Sequence, residues 1–310
     1  MLTVMIAGAA GFAGRHAAAE AARQGVALAL MSHRRTPGRP GPGPVRFVRA
    51  DLADPDSLRG VCEGVDVLLH CASRIGGTLE DNHSVNARGT AALVAEAQRA
   101  QVSRLVYLST ASVYGRGTFR SALPGELERR PLSPTSRTRA LAEDVVLAAG
   151  GIVLRPYLVY GRGDDWVVPG LTRLLRARPG GTSRWDARLS VISVAELAAL
   201  VVGAGLAPRE RLSASVYHAA LPEPVPASQL LRAVADCAGL PPALPEVTPE
   251  QARARLRADR ESSYALDMVT TDHWFDSRPV WTDLGRAVPG TAADVDFPRL
   301  REWYAERMAA

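Results

Sequence analysis

Short apolar runs alternate with helix-like stretches through the first half of the chain. The runs have the length of strands and are apolar at nearly every position, which is typical of strands buried on both faces. Short connections between strand and helix predict parallel strands joined by crossover helices, hence an α/β, doubly wound parallel sheet. We predict strands from residue 4 and at 26–31, 45–48, 65–70, 104–110 and 151–154, and helices ending at residue 24 and spanning 55–63, 86–99 and 135–149.

This rhythm loosens after Gly161, where proline, glycine, tryptophan and arginine become frequent. One strand and one helix return over residues 189–203. Ser228 is the expected cap of a helix that ends at Gly239, and residues 248–251 form a capping box with proline at the first helical position. We therefore predict a main domain of residues 1–161 with about 189–217, and a smaller C-terminal α/β lobe of about 162–188 and 218–310.

Composition excludes several classes of protein. The 310 residues are 47% apolar with a net charge of +5, and all 37 basic residues are arginines because the sequence has no lysine. The arginines are scattered, so no nucleic-acid partner is expected, and no apolar run approaches the ~20 residues of a membrane span. Cys62, Cys71 and Cys237 lack metal-ligand spacing. We expect reduced thiols, no metal site, no signal peptide and a cytoplasmic location.

Three glycines follow the first strand at intervals of three, Gly8, Gly11 and Gly14. Such spacing allows a sharp turn, a close backbone approach to a pyrophosphate and tight packing of the following helix. The N-terminus of that helix, with Phe12, Ala13 and Gly14, would direct amide donors and a positive dipole at the phosphates. The pattern predicts a dinucleotide site in the main domain; a tight turn in an ordinary β/α domain is the alternative.

The end of the second strand indicates which dinucleotide binds. NAD sites usually carry an acidic residue about 20 residues past the glycines, for the ribose hydroxyl. Here Ser32, His33, Arg34 and Arg35 follow instead. A hydroxyl and two guanidinium groups suit a 2′-phosphate, so we predict NADP(H). The alternative is a solvated basic loop.

Further motifs extend the picture along nearly the whole chain. In order they are Gly8–Gly14, Asp51-Leu52, Leu68–Ser73, Val85–Thr90, Leu108–Gly115 and Leu154–Asp164. Their order resembles the extended short-chain dehydrogenase/reductase family, of the NAD-dependent epimerase/dehydratase type. The resemblance implies a seven-stranded Rossmann-type domain that binds the cofactor, a substrate-binding C-terminal lobe, and hydride transfer from a nicotinamide.

The resemblance also assigns cofactor-binding residues. Asp51, beside Leu52, would contact the adenine, and Ala72 and Ser73 would lie near the ribose and nicotinamide. The remaining cofactor-binding positions implied by these motifs are Cys71, Asn86, Arg139 and Pro156.

The chemistry of this family is normally performed by a serine or threonine, a tyrosine and a lysine. Thr110 matches the hydroxyl that orients the substrate carbonyl. Thr135 stands at the tyrosine position and Arg139 at the lysine position, so the usual proton donor is missing. We predict Thr110, Thr135 and Arg139 as the catalytic residues, with the proton coming from water or from an acidic hydroxyl of the substrate.

Leu158 occupies a position where sugar-nucleotide members of the family commonly carry asparagine. An apolar residue there favours a less polar substrate, and the lobe contains aromatic residues that could stack on a flat polycycle. We predict reduction of an aromatic polyketide-type ketone by NADPH. The predicted substrate contacts are Ser109, Ser112, Tyr114, Tyr157, Leu158 and Trp166, and the contributing aromatics include Phe119, Trp185, Tyr264, Trp274 and Phe275.

Two other functions stay open. One is a sugar-nucleotide epimerase or dehydratase, which Leu158 and the absent tyrosine disfavour. The other is a non-catalytic NADP-sensing protein with a degenerate site. The expected partners are a small aromatic ketone and a second copy of the chain in a homodimer, with neither nucleic acid nor membrane.

Overall fold

The computed structural model describes residues 1–177, 180–240, 245–288 and 297–309. Within these residues the strands are β1 Thr3–Ala7, β2 Ala27–Ser32, β3 Val45–Arg49, β4 Val67–His70, β5 Arg104–Leu108, β6 Phe119–Ala122, β7 Ile152–Arg155, β8 Leu158–Tyr160, β9 Arg188–Leu189, β10 Val191–Ser193, β11 Val216–His218, β12 Val225–Pro226 and β13 His273–Phe275. The α-helices are α1 Phe12–Arg23, α2 Leu79–Asn82, α3 Gly89–Arg99, α4 Pro134–Ala148, α5 Val167–Arg176, α6 Val194–Leu206, α7 Ala227–Cys237, α8 Pro249–Arg255, α9 Arg260–Val269, α10 Arg278–Asp283 and α11 Phe297–Ala309.

A seven-stranded sheet in the order β11-β7-β5-β4-β1-β2-β3 forms the centre of the molecule, and all its strands are parallel. Alternate residues of β1 face two different cores. Val4 and Ile6 pack with α1 and α6, whereas Met5 and Ala7 pack with the α3 and α4 side. Because both faces are covered, the inner strands are apolar at nearly every position, whereas the edge strand β3 carries Arg46 and Arg49. The predicted α/β, Rossmann-type doubly wound sheet is confirmed.

Two smaller sheets lie outside this sheet. One pairs β8 with β10, and the other has the order β12-β9-β13-β6. Strand β6 comes from the first half of the chain, whereas β13 comes from the last quarter, so the second small sheet joins distant segments. Strand β11 returns to the edge of the main sheet beside β7. The division of the chain into domains stays a prediction.

Several predicted element boundaries need correction. The helix predicted at 55–63 is only a 3-10 turn, Pro55–Leu58, because Gly60 and Gly64 adopt positive φ and reverse the chain. Helix α7 begins at Ala227 without a side-chain cap, so Ser228 is not its cap. The predicted capping box of α8 is present at Thr248 and Gln251.

The helix predicted at 86–99 begins earlier than expected. Helix α2 leads into a π-helical segment, His83–Arg88, before α3. Helix α9, which carries Tyr264, was not predicted from the sequence. Among the described residues, none of the helices has both the length and the apolar character needed to cross a bilayer.

Candidate active site

The turn after β1 leaves no room for a side chain at Gly8 or at Gly14. Gly8 has φ +84°, and a Cβ atom there would lie 2.7 Å from the Cα of Ala72. A Cβ at Gly14 would lie 2.1 Å from the carbonyl oxygen of Gly8. The amide of Gly11 donates to the same oxygen at 2.8 Å. Glycine is therefore required at positions 8 and 14, because the neighbouring backbone approaches these residues too closely for a side chain.

Gly11 is also the N-cap residue of α1 and supplies no capping side chain. The first-turn amides of Phe12, Ala13 and Gly14 have no intrahelical acceptor, as at any helix start. They and the helix dipole provide a site for the negative charge of a pyrophosphate. The residues present fit a dinucleotide at this turn.

The residues predicted for the adenosine end lie together after β2 and β3. Ser32 ends β2 and is partly exposed, and Arg34 and Arg35 are exposed. The Nε2 atom of His33 lies 3.2 Å from a carboxylate oxygen of Asp51. Leu52 is buried, and its Cβ lies where a side chain on Gly89 would collide with it. The structure thus brings the Ser32–Arg35 segment beside Asp51.

Asn86 holds the chain where it leaves β4. Its Oδ1 accepts from the Arg74 amide at 2.7 Å, and its Nδ2 donates to the Arg74 carbonyl at 3.0 Å and to Thr138 Oγ1 at 3.1 Å. Because its side chain is buried and these groups are engaged, Asn86 positions Cys71, Ala72 and Ser73 rather than facing open space. Burial raises the pKa of the Cys71 thiol to about 12.

Thr135 connects α4 to the loop after β4. Its hydroxyl donates to Asn82 Oδ1 at 3.0 Å and accepts from the Gly76 amide at 3.2 Å. Gly76 and Gly77 both have positive φ, so this loop makes a sharp glycine turn. Thr135 therefore has a structural role in this loop, and a catalytic role for it stays a prediction.

Thr110 remains suited to orienting a carbonyl. Its Oγ1 accepts from the Ser112 amide at 3.1 Å, which leaves its hydroxyl proton available for donation. The Ala111 amide donates to the Pro156 carbonyl at 2.8 Å, so Thr110 lies beside the segment that carries Tyr157. Ser112 is exposed.

Arg139 extends from α4 to the ends of β4 and β5. Its Nη2 donates to the carbonyl of Leu108, and the side chain is partly buried. Its charge acts on His70, Cys71 and Tyr107. A positive charge is thus present where the resemblance implies a lysine.

A buried ion pair lies behind this site and was missed from the sequence. Arg155 donates to both carboxylate oxygens of Glu143, at 2.9 and 2.6 Å, and to the Tyr114 hydroxyl at 2.7 Å. Ser109 also donates to Glu143. The one available signal was the position of Glu143 one helical turn beyond Arg139, on the same face of α4.

These contacts change the roles predicted for Ser109, Tyr114 and Leu158. All three are buried, with Tyr114 1% and Leu158 3% exposed. The Tyr114 hydroxyl also meets His218 Nε2 at 2.7 Å. Their side chains belong to the interior, which does not favour contact with substrate, and that contact stays a prediction.

An aromatic cluster surrounds Tyr157. The Tyr157 ring stacks on His273 with centroids 5.1 Å apart, and Phe119 packs against His273 at 5.3 Å. Burial, with Tyr264 nearby, raises the pKa of Tyr157. Trp166 and Tyr264 are each 60% exposed. Trp274 is partly buried, whereas Trp185 and Phe275 are core residues.

Comparison with known proteins places this geometry in a family. The profile of the NAD dependent epimerase/dehydratase family matches residues 4–209. The chain belongs to this family.

Its relatives include reductases. The chain is 29% identical over 285 residues to a 2-alkyl-3-oxoalkanoate reductase of Stenotrophomonas maltophilia, covering 82% of this chain and 85% of the relative. It is 25% identical over 264 residues to a 4-hydroxy-2-methyl-3-oxo-4-farnesyl-3,4-dihydroquinoline-1-oxide ketoreductase of Stigmatella aurantiaca, covering 82% and 78%. The family and these relatives identify an oxidoreductase of the short-chain dehydrogenase/reductase type.

The fold also matches solved structures. One is a short-chain dehydrogenase/reductase superfamily protein from Agrobacterium tumefaciens with bound NAD. It has a TM-score of 0.74 at 18% identity and covers 99% of this chain and 98% of that one. The family description and the glycine turn together support a nicotinamide dinucleotide as the cofactor.

Proposed function

We propose that the protein is an NADPH-dependent ketoreductase that reduces a ketone of an aromatic polyketide-type natural product to an alcohol, without the usual tyrosine–lysine pair. The observation that carries the proposal is the position of Thr110, an available hydroxyl donor joined through Ala111 and Pro156 to the aromatic cluster at Tyr157. The names of the two reductase relatives, both of which describe oxo compounds, support a carbonyl as the reacting group.

In this proposal the chain binds and orients more than it transfers protons. The bound cofactor supplies the hydride to the carbonyl carbon. Thr110 donates a hydrogen bond to the carbonyl oxygen and stabilises the negative charge that develops there. Thr135 has both functions of its hydroxyl engaged, so the proton that the oxygen takes up comes from water or from an acidic hydroxyl of the substrate.

The preference for NADPH rests on the segment after β2. A 2′-phosphate would be bound by Ser32, Arg34 and Arg35, since the two guanidinium groups are exposed. His33 is in contact with Asp51 and would help to orient the segment. Charge-assisted hydrogen bonds from arginine to phosphate are stronger than neutral ones.

The aromatic cluster supports a flat, weakly polar substrate. Tyr157, His273 and Phe119 present stacked or edge-on rings, and Tyr264 on α9 adds an exposed ring close to Tyr157. Aromatic pairs gain from offset stacking beyond the burial of their area. A substrate ring would enter beside Tyr157 and Tyr264, with its ketone directed at Thr110.

A non-catalytic NADP-sensing role is the second candidate, and the engaged hydroxyl of Thr135 favours it. The family description also keeps a sugar-nucleotide epimerase or dehydratase as an alternative. That activity needs proton transfer to and from a sugar hydroxyl, for which position 135 offers no free acid.

The decisive experiment mixes the purified protein with NADPH and a panel of aromatic ketones and 3-oxo acids, and follows the loss of NADPH absorbance. We expect turnover with one or more ketones, and kcat/KM about 100-fold lower in Thr110→Ala. The matched control is Thr110→Ser, which keeps the donor. Tight NADPH binding without oxidation by any ketone would instead support the sensor, and conversion of a UDP-sugar would support the epimerase.

A further inference from the structure

Three buried polar atoms at the ends of β4 and β5 make no hydrogen bond of normal length and angle to other described residues, although the Arg139 guanidinium interacts with the Tyr107 hydroxyl. They are His70 Nδ1, the Tyr107 hydroxyl and Arg139 Nε. His70 and Tyr107 are both 0% exposed. Leaving a buried polar group without a partner is costly, and proteins commonly satisfy such groups with an internal water.

The three groups lie on the same side of the main sheet. His70 and Tyr107 are register partners on neighbouring strands, with ring centroids 5.1 Å apart. Arg139 reaches them from α4 and donates through Nη2 to Leu108, the residue after Tyr107. Its positive charge acts on both rings, so the guanidinium lies close to each of them.

The donors and acceptors of this cluster suit one water molecule. Burial lowers the pKa of His70 to about 3, so its imidazole is neutral, with Nε2 in contact with Thr90 Oγ1 at 2.9 Å. If Nε2 carries the proton, Nδ1 is an acceptor. Arg139 Nε and the Tyr107 hydroxyl are donors. A water could accept from both donors and donate to His70, which uses three of its four hydrogen-bonding positions.

We propose that His70, Tyr107 and Arg139 enclose one buried water, and that His70 and Tyr107 are positioning residues that hold the Arg139 guanidinium beneath the nicotinamide end of the cofactor site. The water links Arg139 to the strands at a second point, in addition to its bond with Leu108.

This inference rests on the cofactor site of the proposed function but not on any particular ketone. Its test is therefore cofactor affinity, measured by fluorescence titration with NADPH and separately with NADH. Tyr107→Phe removes only the hydroxyl, and we expect it to weaken binding of the preferred cofactor about 3- to 10-fold, the effect of one hydrogen bond. The matched control is Tyr160→Phe, a buried tyrosine in the core on the opposite face of the sheet, which should leave affinity unchanged.

A double-mutant cycle separates positioning from general damage to the fold. In an Arg139→Ala background the effect of Tyr107→Phe should disappear, because the group it positions is gone. Unchanged affinity in Tyr107→Phe, or equal effects in both backgrounds, would overturn the proposal. If Arg139→Ala does not fold, a crystal structure of the wild-type protein decides: a water within hydrogen-bond distance of all three atoms supports the proposal, and its absence refutes it. Failure to reduce any ketone would leave these outcomes unaffected.

Discussion

Thr135 stands where the family resemblance implies a tyrosine, but its side chain has no phenol that could donate a proton. Its hydroxyl makes two hydrogen bonds that fix the glycine turn after β4, through Gly76 and Asn82. An alcohol is also a far weaker acid than a phenol, whose pKa is near 10. The residue therefore stabilises the loop after β4. The proposed ketone reduction would obtain its proton from another source.

We expect Thr135→Val to lower the free energy of unfolding by about 1–3 kcal/mol, because the buried Asn82 loses one hydrogen-bond donor and the exposed Gly76 amide loses its acceptor. Thr135→Ser keeps the oxygen and should cost far less. Urea denaturation of both variants against the wild type measures the difference. Equal stability of the Val and Ser variants would contradict the structural role.

The two exposed arginines after β2 provide a second test at single residues. Replacing Arg34 and Arg35 together by alanine should weaken NADPH binding about 10- to 100-fold, since charge-assisted bonds to the phosphate are lost. NADH affinity should stay the same. The control is Arg39→Ala, an exposed arginine that donates to the Gly43 carbonyl on the same loop. Equal losses for NADPH and NADH would argue against a 2′-phosphate site.

At the scale of an element, the turn between β1 and α1 depends on the absence of a side chain at Gly14. We expect Gly14→Ala to abolish cofactor binding or folding, because its methyl group would meet the Gly8 carbonyl at 2.1 Å. Gly38→Ala is the matched control, since nothing lies within 4 Å of a Cβ there and its φ is not positive. Circular dichroism and NADPH titration measure both effects. A folded Gly14→Ala protein with normal affinity would show that the turn tolerates a side chain.

The main sheet was predictable from the sequence because local pattern and burial agree there. Strands covered on both faces read as continuous apolar runs, as in β1 and β2, and the glycine spacing identifies the first turn. The segment 55–63 looked helical by composition, but Gly60 at φ +75° and Gly64 at +68° override that preference. Local pattern therefore predicted the elements better than their ends.

Contacts between residues far apart in the sequence could not be predicted from the local sequence pattern. Glu143 and Arg155 pair across α4 and β7, and nothing in their own neighbourhoods announces the pair. Ser109 and Tyr114 belong to the same buried network, which their sequence positions did not indicate. Thr110 follows the end of β5, at the edge where the ends of the parallel strands meet, and Arg139 reaches the same edge from α4.

At the scale of the whole molecule, the buried network that starts at Glu143 joins the main sheet to the segment after β13. From Glu143 it passes through Arg155 and Tyr114 to His218 at the end of β11, whose Nδ1 faces the Asp276 carbonyl at 3.3 Å. Breaking one member of a buried ion pair typically costs about 3–5 kcal/mol. The network therefore fixes how the edge of the sheet meets the segment after β13.

A homodimer is the predicted assembly, and α4 offers a surface on which to test it. Leu141 is an apolar side chain on this helix that is 47% exposed. If α4 forms the interface, Leu141→Glu should shift the protein from dimer to monomer in sedimentation velocity, because a charge would be buried in the contact. The control is Phe47→Glu, an apolar side chain on β3 that is equally exposed, at 47%, and does not belong to α4. A wild-type monomer, or a dimer unaffected by Leu141→Glu, would exclude this interface.

Two buried histidines link the stability of the molecule to pH. Burial lowers the pKa of His70 and of His218 to about 3, from 6.5 in the unfolded chain, and Arg155 adds to the effect at His218. Between these values the unfolded chain binds protons that the folded chain does not. The contribution of these two histidines to the free energy of unfolding is therefore fully present well above pH 6.5, and it decreases as the pH falls below that value.

The loss should be roughly 1.4 kcal/mol for each histidine at about pH 5.5, or about 3 kcal/mol for both. Urea denaturation at about pH 7.5 and about pH 5.5, at constant ionic strength, measures it. In His218→Gln the difference between the two pH values should shrink, whatever the variant's absolute stability, because one imidazole with a strongly lowered pKa is gone; His16 and His273, whose pKa values burial also lowers, keep their contributions. A wild-type protein equally stable at both pH values would mean that these imidazoles take up protons without unfolding, against the burial that the structure gives them.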